Sequence, residues 1–415
     1  MTKNLKAARI LVLITVTAFA CACVHRGEKP ATGVAVAGST SAGSASDPAS
    51  WAGRMQKLSV TLSDLLPLVA SPWRFAAEAN QARIEADVTS LRLLAHSLSK
   101  DTNKGQAPEN RDPAMPVVEG LFAEDIDRAL ESLHAGNREY ARAILKDTAN
   151  YCITCHTQTR NGPSYPKLSL DINMKDLPRL ERAEFYAATR QFDLAVDEFK
   201  AALKDPSLPQ TDAFAWERAA RSALAIVVRV QKNPDKAVDF IESIIRNKQA
   251  PAYVREPAIH WLKSAKEWRR EREPGSESSA DGLSRASALI AKAQAAQKFP
   301  LDHSQDVLWF RAGSLLHDLL GQPSLDDAAR TRALFLAGVD AEATRDMNFW
   351  TMHETYFELC IKRSPHSAQA QQCFDRLNDS TTLGYSGSAG VLIPPEVHRR
   401  LETLRRLAAG EPTVK

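Results

Sequence analysis

One pentapeptide limits what this chain can fold around: Cys152-Ile153-Thr154-Cys155-His156. Two thiols separated by two residues, with a histidine directly after the second, is the spacing at which a c-type haem is attached. The thiols add across the two vinyl groups of the macrocycle and the imidazole sits beneath the iron. On a helix the three side chains stand at i, i+3 and i+4, so all of them face one flat ligand. Two other chemistries use similar spacing. A dithiol of thioredoxin type needs a βαβ context, and none is visible around residue 150. A zinc site needs further Cys or His at ligand spacing, which the neighbouring sequence lacks.

The start of the chain predicts export. Lys3, Lys6 and Arg9 precede an apolar run from Ile10 to Ala20, which is too short to cross a bilayer as a mature helix. Residues 1–23 therefore read as a signal segment. Its end has two readings: small-residue cleavage sites at Ala18-Phe19-Ala20 and Ala20-Cys21-Ala22, or a loose lipobox that would place lipid on Cys21 or Cys23. Residues 24–50, rich in Ala, Gly, Ser and Thr, have too few large apolar groups to fold and read as a tether. The expected location is the periplasm or cell envelope, lipid-anchored or soluble.

A net charge of +3 over 415 residues names no partner, and the near-neutral stretch from Trp51 to Gly162 argues against nucleic acid. Of six cysteines, two lie at the signal boundary and two in the pentapeptide. The remaining pair, Cys360 and Cys373, flanks Ser364-Pro365-His366 on two predicted helices and suits a disulfide in an oxidising compartment.

Apolar periodicity predicts four amphipathic helices within 51–162. The first, Ala52 to Leu66, carries Met55, Leu58, Leu62 and Leu66 on one stripe and is ended by Pro67 and Ser71-Pro72. The second, Phe75 to Ser99, presents Ile84, Val88, Leu91, Ala95 and Leu98. A loop over Asp101 to Pro116 leads to the third, Val118 to Leu133, which ends at Gly136. The fourth starts at Asn137 as N-cap and carries Tyr140, Ala141, Ile144, Leu145 and Thr148 toward the pentapeptide, with Ala141 and Ala149 leaving room for a ligand. Four such stripes can enclose one another as an antiparallel bundle.

These residues resemble the class II cytochromes c, the family of cytochrome c′ and its low-spin relatives. The resemblance covers about Trp51 to Arg160, including Arg160 four residues after His156. It departs at Thr159, where an aromatic residue is usual, and in the long loop before the third helix. It implies a four-helix bundle holding one covalent haem c, with His156 as proximal ligand. A methionine of the first helix completes the coordination in low-spin members, which points to Met55. If Leu58 faces the iron instead, the site is five-coordinate. His96 and His134 lie off their apolar stripes and read as surface residues.

Beyond Gly162 the pattern becomes helical hairpins. Ala183, Tyr186, Ala195, Phe199 and Ala202 fall where a tetratricopeptide repeat packs its small and aromatic residues, and the region resembles that family. A weaker copy has Ala225, Val228, Ala237, Ile241 and Ile244, with Ala195 and Ala237 42 positions apart, longer than the usual ~34. Pro274-Gly275-Ser276 marks a junction, dividing 163–273 from 274–415. Five further helices are expected up to Leu377, then a glycine-rich loop and a last helix from Pro395. Charged residues along these helices read as solvated faces, and Trp216, Trp261, Trp268, Trp309 and Trp350 as packing.

The expectation is thus an all-α exported chain: a four-helix-bundle cytochrome region followed by a helical-repeat solenoid that docks a redox partner protein. One-electron transfer, without enzymatic turnover, is the first reading. A haem that senses nitric oxide or carbon monoxide is the second, and an envelope scaffold with a structural haem the third.

Overall fold

Nearly all of the observed structure is helix, built on apolar stripes. The computed structural model describes residues 50–103, 111–158, 177–271, 278–347, 351–388 and 390–410. Residues 1–49, including Cys21 and Cys23 and the stretches expected to be a signal and a tether, lie outside the described residues, as do Thr159, Arg160, both Pro/Gly stretches and Trp350.

The first four long helices are α1 (Trp51–Val69), α3 (Glu78–Asn103), α4 (Met115–His134) and α5 (Arg138–His156), with the short α2 (Pro72–Ala76) between α1 and α3. They pack in a ring, α1 on α3, α3 on α4, α4 on α5 and α5 back on α1. Their shared core includes Leu58, Leu62, Ile84, Val88, Leu91, Phe122, Ile126 and Leu145. Ser50 caps α1 by accepting from the Gly53 N–H at 3.0 Å.

Several boundaries differ from expectation. Helix α1 runs two residues past Pro67, which stands in its last turn, and closes at Val69 just before Ser71-Pro72. Pro116 likewise lies inside the first turn of α4, where a missing N–H costs nothing. Gly136 does close α4: its φ of 77° is the left-handed conformation that ends helices. Asn137 stands at the α5 N-cap without a side-chain cap bond. Tyr140 is exposed rather than inward, since it sits one residue, about 100° of helical rotation, from the buried Ala141.

Next come α6 (Arg179–Ala188), α7 (Phe192–Ala202), α8 (Leu208–Thr211), α9 (Ala213–Ala225), a π turn (Ile226–Val230), α10 (Pro234–Arg246) and α11 (Ala252–Arg270). Ala183, Ala195, Phe199 and Ala202 are buried where α6 meets α7, and Tyr186 is partly so. The chain continues through α12 (Ser279–Ala296), α13 (Asp306–Leu320), α14 (Asp327–Ala343), α15 (Met352–Arg363), α16 (Ala368–Gly384) and α17 (Pro395–Ala409). The glycine-rich segment before α17 forms a small antiparallel pair, Ser386 opposite Val391 and Gly387 opposite Gly390, where no strand was expected. Cys360 and Cys373 are joined as a disulfide between α15 and α16.

Trp216, Trp261, Trp268 and Trp309 are core residues. The charged residues are not all solvated: Arg221 pairs with Asp306 at 2.7 Å, and Arg229 with Asp340 at 3.5 Å, all four buried. Ala114, Met115 and Val118 share a core with α13, α14 and α15. The described residues from Ser50 onward thus form one compact unit. Among the described residues no helix is long and apolar enough to cross a membrane.

Candidate functional site

Helix α5 carries Cys152, Cys155 and His156 in its last two turns, and all three line one cavity. Its far wall is the stripe of α1: Met55, Leu58, Leu62 and Leu66 all border it. Leu98, Val118, Phe122 and Ala149 complete an apolar lining. Ala141 is buried but lines nothing here.

The cysteines are free thiols. Burial pushes Cys152 up to about 12 and raises Cys155 as well, so both are protonated at neutral pH, the form that adds across a vinyl group. Burial, reinforced by the Arg190 cation, lowers His156 to about 4, against the opposing effect of a hydrogen bond to the Ala188 carbonyl. His156 is therefore neutral. A carbonyl can only accept, so Nδ1 carries the proton and Nε2 keeps the lone pair for a metal.

One imidazole and one thioether cannot hold a bare ion, and among the described residues no group of three or more His, Cys, Asp or Glu is arranged to do so. They suit an iron whose equatorial ligands come from a macrocycle. Two protonated thiols, one neutral imidazole and an apolar slot fit a covalently attached haem. His96 and His134 stand away from the cavity, bonded to Asp127 at 2.9 Å and to Glu85 at 3.0 Å.

Three contributions were not foreseen. Glu119 lines the slot, paired with Arg111 at 2.6 Å; an acid at position i−3 from Phe122 on an apolar stripe was the available signal. Phe185, Ala188 and Thr189 border it from α6, beyond the expected end of the haem region, and no periodicity reports such a contact. Tyr151 donates to Asp125 and separates the slot from a polar cavity behind α5, which is lined by Asp147, Asn150, Thr154, Glu184, Arg218, Ser222 and Arg229. No protein-family model, curated protein or solved structure matches this chain.

Proposed function

We propose that this chain is a monohaem c-type cytochrome of the cell envelope, built as a class II-like four-helix bundle with tetratricopeptide-like hairpins that dock a redox partner protein, and that its work is one-electron transfer. The observation that carries the reading is the convergence of Cys152, Cys155, His156 and Met55 on one apolar cavity. A haem held there supplies a one-electron iron couple. Cys152 and Cys155 anchor it, and His156 offers Nε2 on one side while Met55 lies on the helix opposite. The leucines of α1 and Phe122 keep water out, which favours the less charged reduced state and tunes the couple. Export, a lipid on Cys21 or Cys23, and a contact from Arg160 belong to the same reading.

The same apolar wall supports a second reading, in which Leu58 faces an open iron and the haem binds nitric oxide or carbon monoxide. Electronic spectra of the ferric and ferrous protein, with and without each gas, separate the two. The electron-transfer reading predicts a low-spin, gas-refractory wild type, and a Met55→Ala variant that is high-spin and binds carbon monoxide. A wild type that is already high-spin and binds both gases would favour the sensor.

A further inference from the structure

The turn that ends α6 breaks a local rule. Arg190 N–H donates to the Ala187 carbonyl at 3.1 Å and Gln191 N–H to the Tyr186 carbonyl at 2.8 Å, the paired bonds of a Schellman motif. The left-handed position of that motif is ordinarily glycine, yet it holds Arg190 at φ 60°. The Arg190 side chain is buried, lies over the Phe192 ring at 5.2 Å, and donates from Nη1 to the backbone carbonyl of His156 at 3.1 Å. In return His156 Nδ1–H donates to the Ala188 carbonyl, one of the terminal carbonyls that a helix leaves without an internal partner.

We propose that the C-terminal turn of α6 is the outer layer of the haem ligand: the Ala188 carbonyl, at the negative end of the helix, sets the tautomer and electron-donating strength of His156, and Arg190 is the positioning residue that holds the two together. The inference rests on the haem reading above and deepens it. A carbonyl at a helix C-terminus draws the Nδ1 proton and makes the imidazole a stronger donor, which stabilises ferric over ferrous iron and lowers the potential. The arginine accounts for the missing glycine, because glycine would relax the turn and lose the tether to His156.

Arg190→Gly in the full-length protein separates the roles, since it keeps or improves the left-handed backbone. The expected result is a folded protein with attached haem whose midpoint potential rises, the weakened hydrogen bond to Ala188 outweighing the loss of the Arg190 charge, which alone would lower it. A tenfold loss of ferric preference corresponds to about 59 mV for one electron. In the Met55→Ala background the ferrous iron–histidine stretch should fall in frequency, and Arg190→Lys should recover part of both effects. A folded Arg190→Gly protein with attached haem and unchanged potential and stretch overturns the proposal. Should Arg190→Gly fail to fold, Phe192→Leu, which removes only the ring beneath the guanidinium, must shift both readouts in the same direction. Absence of haem from the wild type would instead remove the haem reading itself, which a pyridine haemochrome assay reports separately.

Discussion

At Glu184 burial outweighs the neighbouring charges in setting the behaviour of one side chain. It borders the polar cavity behind α5, where loss of solvent raises its carboxyl to about 7 despite Arg218 at 3.6 Å; Glu181 and Asp147 add to the rise and Lys146 opposes it. The folded state therefore binds more protons than the unfolded one between the ordinary 4.5 and about 7. Its contribution is most favourable below pH 4.5 and is lost as pH rises through 7. Glu184→Gln should match the wild type near pH 4 and exceed it at pH 8 by about 1–2 kcal/mol, allowing for its residual solvent contact. Denaturant unfolding at both pH values checks this, and an equal difference at both would refute it. Residue spacing in the sequence made the cysteines and histidine legible, because they form a local motif. Glu184 was not legible, since its environment comes from α5 and α9, far along the chain.

The helices of this chain are written in stripes, and their ends are written in exceptions. Met55, Leu58, Leu62 and Leu66 were readable as one face and do border one cavity, because a period of 3.6 residues needs no tertiary information. Pro67 and Ser71-Pro72 bracket the true end of α1: the helix runs through the first proline for two residues and closes at Val69. Arg190 at a glycine position gives no sequence signal at all, as its reason lies on α5. The α15–α16 hairpin is the element with a covalent staple: Cys360 and Cys373 are 13 residues apart and fully buried. A loop of that size implies about 3 kcal/mol of stabilisation on the chain-entropy account. Denatured, unreduced protein should show no free thiol at these positions, and the Cys360→Ala/Cys373→Ala variant should unfold earlier by roughly that amount. Labelling at both sites would remove the staple.

Across the whole molecule, the α3–α4 connection is tied to helices more than 200 residues away. Asp112 accepts from His317 at 2.7 Å and from the Tyr356 hydroxyl at 2.9 Å, while its other oxygen accepts from the Ala114 N–H. Asp112→Ala would leave both partners buried without their acceptor and should cost about 2–4 kcal/mol, read by thermal or denaturant unfolding. A change below 0.5 kcal/mol, the range of ordinary surface substitutions, would show the tie to be incidental. No stretch of sequence announces such a contact, which is why the later helices read as a separate docking array while Phe185, Ala188 and Thr189 in fact border the slot beside His156. The account as a whole stands on covalent haem at Cys152 and Cys155. Its most direct test is the mass of the full-length protein, expressed with a c-type haem maturation system and extracted with acid and organic solvent. One haem should remain on the peptide containing Cys152 and Cys155, with neither thiol open to alkylation. An unmodified peptide with both thiols alkylated would contradict the account.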